Sequence, residues 1–456
     1  MNMIAEEARS HLRILEPKQK ASEDGSVVIR VEEEIRFRTE VLDALADGGC
    51  RPVHYDLLLL CASVEYADRH WKRTSDWHRY IHVTLPVIEL EKWLSDSVQR
   101  SLKRALKLLT GDSWSFDFVQ ANNLNIGKWK QLRLDVRGVK TFAIPYSEGL
   151  DSRAVAALCG DHNEALCIRI ANKRQEHRHG ENVFAEIPFT VKNGTPRESS
   201  FRSRGFQFAA MTSIAADIRN IHRIVVPESG QGALGPAMLP LHRLYADYRN
   251  HPKYFRLMEK FIEKLLDHQV NFEQPRLWST KGQTLLAFLQ LPNRSEADLV
   301  DTRSCWQTRH VVNVGGSRRQ CGLCAACLLR RCSLHTAGVT ETKGTYVIED
   351  LTTIDVYDAM AKVTDPDDRD NMIEYGIAGT RHFQQMASMA NWSDEELRIY
   401  VLEIADALGE AETETLTKLR ALLFQHAVEW QTFLAAQGNQ SFLHNWTGGG
   451  NHGRFE

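Results

Sequence analysis

No apolar run of about 18 residues occurs in this 456-residue chain, so the sequence offers no membrane-spanning helix. Excess charge is missing too. Lys and Arg number 56 against 59 Asp and Glu, a net charge of −3. That balance gives no electrostatic basis for sequence-independent binding to nucleic acid or to an anionic membrane. The first residues, Met-Asn-Met-Ile-Ala-Glu-Glu, lack the basic and apolar regions of a signal peptide, and the cytoplasm is the expected compartment. Cysteines number nine, odd and modest for this length, which argues against a disulfide framework and for a reducing environment. No repeat and no low-complexity tract interrupts the sequence.

What is present is a hydrophobic fraction of 43%, enough for sizeable cores, in a chain long enough for two or three domains. Three stretches differ in pattern. Residues 1–137 predict an α+β region without a catalytic motif. Strands are expected at 26–31, 80–87, 113–119 and 132–136. Helices are expected at 54–73, with Leu57, Leu60, Cys61, Val64 and Ala67 on the buried side, and at 90–109. Residues 138–345 carry short apolar runs at 141–145, 165–170, 183–188 and 224–227, separated by helical patterns at 152–159 and 201–219. This alternation predicts an α/β fold with an open parallel sheet. A longer helical insert, 237–268, follows. Residues 346–456 predict a mainly helical region, with helices at 371–390, 393–408 and 414–437 and an irregular end at 445–452.

Between the strand at 141–145 and its helix lies Tyr146-Ser147-Glu148-Gly149-Leu150-Asp151-Ser152. A strand-to-helix loop presents free backbone N–H groups to an anion. Gly149 permits close approach of a phosphate, and Ser147 and Ser152 add hydroxyl donors. An ordinary turn capped by Asp151 or Ser152 would have the same composition. As a carboxylate beside phosphates, Asp151 suits Mg²⁺. Arg204 and Lys281 are long cations able to face the same cleft or to stand on a solvated face. Glu228, in Glu228-Ser229-Gly230-Gln231-Gly232, lies just past a strand end, where open α/β sheets bind ligands; the glycines equally suit a plain turn.

Cys305, Cys321, Cys324 and Cys327 have the spacing C-x15-C-x2-C-x2-C. Two short steps let one loop present three thiolates, and Cys305 completes the set from a distance. Four thiolates leave no open position, so the expected metal is a structural Zn²⁺ rather than a reaction centre. An iron–sulfur cluster uses the same ligands, and plain buried cysteines are the other alternative. Cys332 is expected to pack in the helix that follows.

Together these motifs resemble the 7-cyano-7-deazaguanine synthase (QueC or ExsB) family of queuosine biosynthesis over about residues 140–335. That family has a Ser-Gly-Gly-Leu-Asp-Ser loop; this chain has Ser147-Glu148-Gly149-Leu150-Asp151-Ser152. The family's late block is matched by Ser304-Cys305-Trp306 and by Cys321-Gly322-Leu323-Cys324-Ala325-Ala326-Cys327-Leu328-Leu329-Arg330. Arg202-Ser203-Arg204 with Phe208-Ala209-Ala210, and Lys281, resemble further family elements. The resemblance implies a sheet of the adenine-nucleotide α-hydrolase, or pyrophosphate-loop ATPase, type. It implies ATP and Mg²⁺ as cofactors, with residues 147–152 cradling pyrophosphate and Asp151, Arg204 and Lys281 as catalytic groups. The substrate implied is 7-carboxy-7-deazaguanine, with Glu228 on its guanine-like edge and Trp306 able to stack on the base or to pack beside the metal.

Two departures stand out. Glu148 replaces a loop glycine, and a carboxylate pointing inward would repel triphosphate. The flanking stretches resemble larger members of anti-phage systems such as the Qat system, which implies attachment of a deazaguanine to a partner protein of the same defence system. The ordinary synthase and a partner-binding scaffold are the alternatives; transfer onto RNA fits the near-neutral charge poorly.

Overall fold

The computed structural model describes residues 10–21, 25–37, 50–74, 77–124, 140–147, 149–160, 164–169, 185–186, 189–192, 196–240, 244–305, 312–314, 317–361, 363 and 365–449. It is a mixed α/β fold with open parallel sheets and a largely helical C-terminal region. The chain forms two compact units that interleave along the sequence. The first takes residues 1–147, 160–226 and 242–274; the second takes 148–159, 227–241 and 275–456.

The first unit carries eleven of the described strands: β1 (Ser10–Leu15), β2 (Val27–Arg30), β3 (Ile35–Phe37), β4 (Tyr80–Val87), β5 (Ser113–Gln120), β6 (Phe142–Pro145), β7 (Ala165–Arg169), β8 (Ala185–Glu186), β9 (Phe189–Val191), β10 (Arg223–Val225) and β11 (Asn271–Glu273). One sheet has the order β2-β1-β4-β5, the other β11-β10-β6-β7-β8, and every pairing in both is parallel. The region expected to be α+β thus contains a parallel sheet of its own. β3 and β9 form a separate antiparallel pair.

In the first sheet the pattern alternates cleanly. Ile81, Val83 and Leu85 of β4 and Trp114, Phe116 and Phe118 of β5 are buried, whereas Tyr80, His82 and Thr84 are not. A period of two places one set on the core face. Helix Pro52–His70 packs on β1 and β4, and helix Arg204–Ile218 packs on β6, β7 and β10. The two helices also touch each other, so one hydrophobic core serves both sheets. Every residue of the first helix from Val53 to Asp68 is buried, not only the stripe expected.

That burial takes charged groups into the interior, and each finds partners. Asp56 accepts from the backbone N–H of Ile88 (2.8 Å) and Glu89 (3.0 Å) and from Trp93 Nε1 (3.1 Å). Asp68 and Asp112, both fully buried, are held by Arg73 and Arg79 at 2.6–2.9 Å. Buried charges persist only when paired in this way.

Two expected helices are broken. Residues 90–109 form Leu90–Leu94 and Asp96–Thr110, with Ser95 extended between them (φ −60°, ψ 125°). The insert at 237–268 is not continuous: helix Gly230–Met238 ends before Pro240, and Pro252 opens helix Pro252–Leu266 from a His251 cap. Proline suits the first helical position, as at Pro252, whereas Pro236 sits inside helix Gly230–Met238. The strand expected at 132–136 lies outside the described residues.

In the second unit helices predominate: Pro366–Ser388, Asp394–Leu408 and Glu412–Gln437 appear where the apolar spacing predicts them. Ser393 and Glu396 form a capping box on the middle one. β12 (Asn313–Val314) and β13 (Ser317–Arg318) form a short hairpin. Residues Asn445–Gly449 make a π-type turn interrupted at Gly448, not a regular helix. No helix among the described residues is long and apolar enough to cross a membrane.

Candidate functional site

Strand order fixes where the second sheet can take a ligand. β6 is flanked by β7, its successor, on one side and by β10 on the other. The direction of winding reverses there, and open α/β sheets bind ligands outside the carboxyl ends of the strands at such a point. After β6 the ladder runs one residue further, Tyr146 N–H donating to the Ile168 carbonyl at 2.8 Å, and Ser147 beyond it is exposed. The chain continues from β6 to helix Leu150–Cys159, and from β10 to Glu228 and helix Gly230–Met238.

In the second unit three predicted residues come together. Gly149 opens helix Leu150–Cys159, its carbonyl accepting from Arg153 N–H at 3.3 Å. Leu150 and Ala154 pack with Leu285, Phe288 and Leu334. Ser152 is buried. This packing fixes Asp151 on the first turn, where its Oδ2 lies 2.6 Å from Lys281 Nζ. Its Oδ1 is buried and has no hydrogen-bond partner.

Lys281 is the first residue of helix Lys281–Leu289, whose start is set by a Thr280–Gln283 capping box. Burial alone would push the Lys281 ammonium down, but the carboxylates of Asp151 and Glu228 outweigh it and leave the pKa raised. Glu228 leans over Gly232 and accepts from Ser229 N–H at 3.3 Å. Lys281 thus stands between the carboxylates of Asp151 and Glu228, with the Arg330 guanidinium also close enough to act on it. A triphosphate set against the two carboxylates would be repelled by them, and a divalent cation would offset that repulsion.

Arg204 belongs to the first unit. At the start of helix Arg204–Ile218 its guanidinium lies 5.2 Å from the Phe208 ring centroid, and desolvation there holds its pKa below the ordinary arginine range, although the residue as a whole is exposed. Glu148 and Trp306 lie outside the described residues.

The second unit also holds a metal-competent cluster. The Sγ atoms of Cys305, Cys321, Cys324 and Cys327 all lie within 4.8 Å of one another, and Cys321 and Cys327 are 3.7 Å apart. A tetrahedron with 2.3 Å metal–sulfur bonds requires edges of about 3.8 Å. Backbone N–H groups already face sulfur: Cys321 N–H to Cys305 (3.2 Å) and Cys324 N–H to Cys321 (3.3 Å). Hydrogen bonds from the neighbouring thiols draw the Cys305 thiol below its ordinary range.

Local structure delivers each ligand. Gln320 Oε1 accepts from the N–H groups of Ser304 (2.9 Å) and Cys305 (3.2 Å), tying the distant ligand to the loop. Arg330, fully buried, donates to Thr302 Oγ1 (2.5 Å), to the Leu299 and Val300 carbonyls and to Glu341. It thereby anchors the segment leading to Cys305. Cys324 stands at the N-cap of helix Ala325–Thr336, and a β-carbon on Gly379 would come within 3.0 Å of the Ala325 Cα, so glycine there lets helix Pro366–Ser388 pack tightly on its start. Cys332 lies in that first helix, buried in the adjoining core and outside the cluster.

Sequence reasoning missed the residues behind Lys281. Gln231, His426 and Glu429, all buried, reach Thr280 and Lys281 through hydrogen bonds. Gln231 stood in a segment noted for its place past a strand end, with Glu228 as the residue singled out, and His426 and Glu429 lie in a helix noted for its apolar spacing. Comparison with protein-family models, with curated proteins and with solved structures finds no match for this chain.

Proposed function

We propose that this chain is an ATP-dependent ligase that adenylates the carboxylate of 7-carboxy-7-deazaguanine and passes the acyl group to an amine. The observation that carries this reading is the 2.6 Å contact of Lys281 Nζ with Asp151 Oδ2 on the first turn after the strand-to-helix loop. An aspartate at a helix N-terminus, one oxygen on a lysine and the other buried without a partner, is suited to hold Mg²⁺ beside a triphosphate.

In this mechanism the substrate carboxylate attacks the α-phosphorus, the P–O bond to the β-phosphate breaks, and pyrophosphate leaves. The N-terminus of helix Leu150–Cys159 and Lys281 act on the pyrophosphate as its charge develops. The acceptor amine then attacks the acyl carbon, loses a proton and expels AMP. The pyrophosphate-loop sheet type and structural Zn²⁺ at Cys305, Cys321, Cys324 and Cys327 belong to the same reading; the four-sulfur geometry supports the metal. The flanking regions favour a partner protein from an anti-phage defence system as acceptor, because ammonia needs no docking surface.

The test is release of pyrophosphate and AMP from ATP, Mg²⁺ and 7-carboxy-7-deazaguanine, with intact-mass analysis of a co-purifying partner. One covalent addition supports conjugation; a free nitrile with unchanged partner mass supports the ordinary synthase. Glu148, standing where the resembling family has a loop glycine, favours a second reading, a scaffold without turnover. An inert wild type that gains activity on Glu148→Gly would establish that reading.

A further inference from the structure

A hydrogen-bond chain runs from Lys281 into helix Glu412–Gln437, and its direction is fixed at both ends. Lys281 N–H donates to Gln231 Oε1 at 2.7 Å. A backbone N–H can only donate, so the Gln231 amide is oriented and its Nε2 must face His426 Nδ1, 3.0 Å away. That nitrogen is therefore an unprotonated acceptor. The proton sits on Nε2, which donates to the Phe383 carbonyl at 2.9 Å. A carbonyl can only accept, so no member can turn without breaking two bonds. Gln231 is 1% exposed and His426 is 0%, so water cannot replace a lost partner. A parallel tie joins the same helices: Thr280 Oγ1 donates to Glu429 Oε1 at 2.5 Å while accepting from Gln283 N–H at 3.0 Å.

We propose that Gln231 and His426 are positioning residues for Lys281, so that the C-terminal helical region sets where the lysine ammonium stands against Asp151. The chain ends on the Lys281 backbone, not on its ammonium, and therefore acts on the location of the residue. The significance for phosphate chemistry rests on the function proposed above; the positioning itself does not.

Two substitutions of one residue separate this role from a plain helix–helix tether. His426→Asn keeps an acceptor near the Nδ1 position and gives up the bond to Phe383. His426→Gln reaches Phe383 and gives up the acceptor for Gln231. The readout is the Lys281 ¹⁵Nζ resonance in full-length protein labelled at lysine, assigned by its loss in Lys281→Met. Affinity for ATP with Mg²⁺ is measured alongside. His426→Gln should move the resonance and, if ATP binds, weaken binding about tenfold or more, the scale of one unsatisfied buried donor. His426→Asn should restore both toward wild type. Gln231→Ala, with His426 intact, should move the resonance as well and serves if a His426 variant fails to fold. An unmoved resonance in His426→Gln and Gln231→Ala, or an equal shift in His426→Asn and His426→Gln, overturns the proposal. A selective shift in a protein that binds no ATP keeps the positioning role and rejects the ATP reading.

Discussion

The carbonyl oxygen of Ile348 occupies the space that a β-carbon on Gly322 would need. Gly322 also has φ +96°, a backbone conformation L side chains rarely adopt, and Ile348 N–H donates to the Cys321 carbonyl at 3.1 Å. The metal loop is thus closed against this strand-like segment through a residue that is not a ligand. Gly322→Ala should cost more than the roughly 1 kcal/mol of the left-handed backbone alone, because the Ile348 contact must open too. Metal content by elemental analysis should fall with the melting temperature.

Cys324→Ser removes a ligand and leaves the loop geometry. Wild-type protein should carry about one zinc per chain, and the variant should lose metal and soluble yield together. A metal-free wild type of equal stability would reject the site, and a coloured, redox-active one would point to iron–sulfur.

Asp151→Asn keeps the shape of the first turn and removes the charge that offsets Lys281. Pyrophosphate release should fall to a small residue while zinc content stays unchanged. Stability should drop by about 3 kcal/mol, the scale for breaking one partner of a buried pair. Denaturant titration beside the activity assay separates the two losses.

His426 gives the fold an acid sensitivity. Burial pushes its pKa down to about 4 from 6.5. Its folded value is depressed, so the unfolded chain binds the proton first as pH falls. The stabilisation is complete above pH 6.5 and is lost between pH 6.5 and about 4, by roughly 3 kcal/mol in all. Nearby Glu429, pushed up by burial, acts with the opposite sign, and the neighbouring His382 is also held down by burial. The contribution is therefore read as a difference: the stability curve of His426→Asn should be flatter than wild type across that window.

Asp112 accepts from Arg79 Nε (3.0 Å) and Nη2 (2.6 Å) and from Arg73 Nη2 (2.9 Å) in the interior of the first unit. Asp112→Ala leaves Arg79 and Arg73 sharing the Asp68 carboxylate, with Glu198 near Arg73 as well. A loss of about 3–5 kcal/mol is expected in urea unfolding, and Asp112→Asn should lose less.

Alternation made β4 and β5 legible, because alternate side chains enter one core. β1 was not read, although Leu12 and Ile14 alternate with His11 and Arg13 there; the alternating run is only a few residues long, and pairing with β2 and β4 sets it in the sheet. β11 has three residues, too few to show a period. At Ser95 the helical apolar spacing continues through a break made by long-range contacts, including Trp93 to Asp56. Pro240 and Pro252 did carry a local signal that the insert is divided. The four-cysteine cluster was legible from spacing, since one loop supplies three of its members. Asp151 and Lys281 were singled out from the loop and the family resemblance, but their contact spans 130 positions and no local pattern encodes it. Gln231 and His426 meet across 195 positions.

The chain passes between its two units five times, after residues 147, 159, 226, 241 and 274. No single cut therefore yields either unit as a contiguous fragment. During synthesis the first unit has all its residues once position 274 has emerged, while residues 148–159 and 227–241 still await the helices that bury them. A nascent chain halted there would expose Leu150, Ala233 and Leu234, which pack with residues from Leu277 onward, so those apolar segments are open to chaperones until that later stretch emerges.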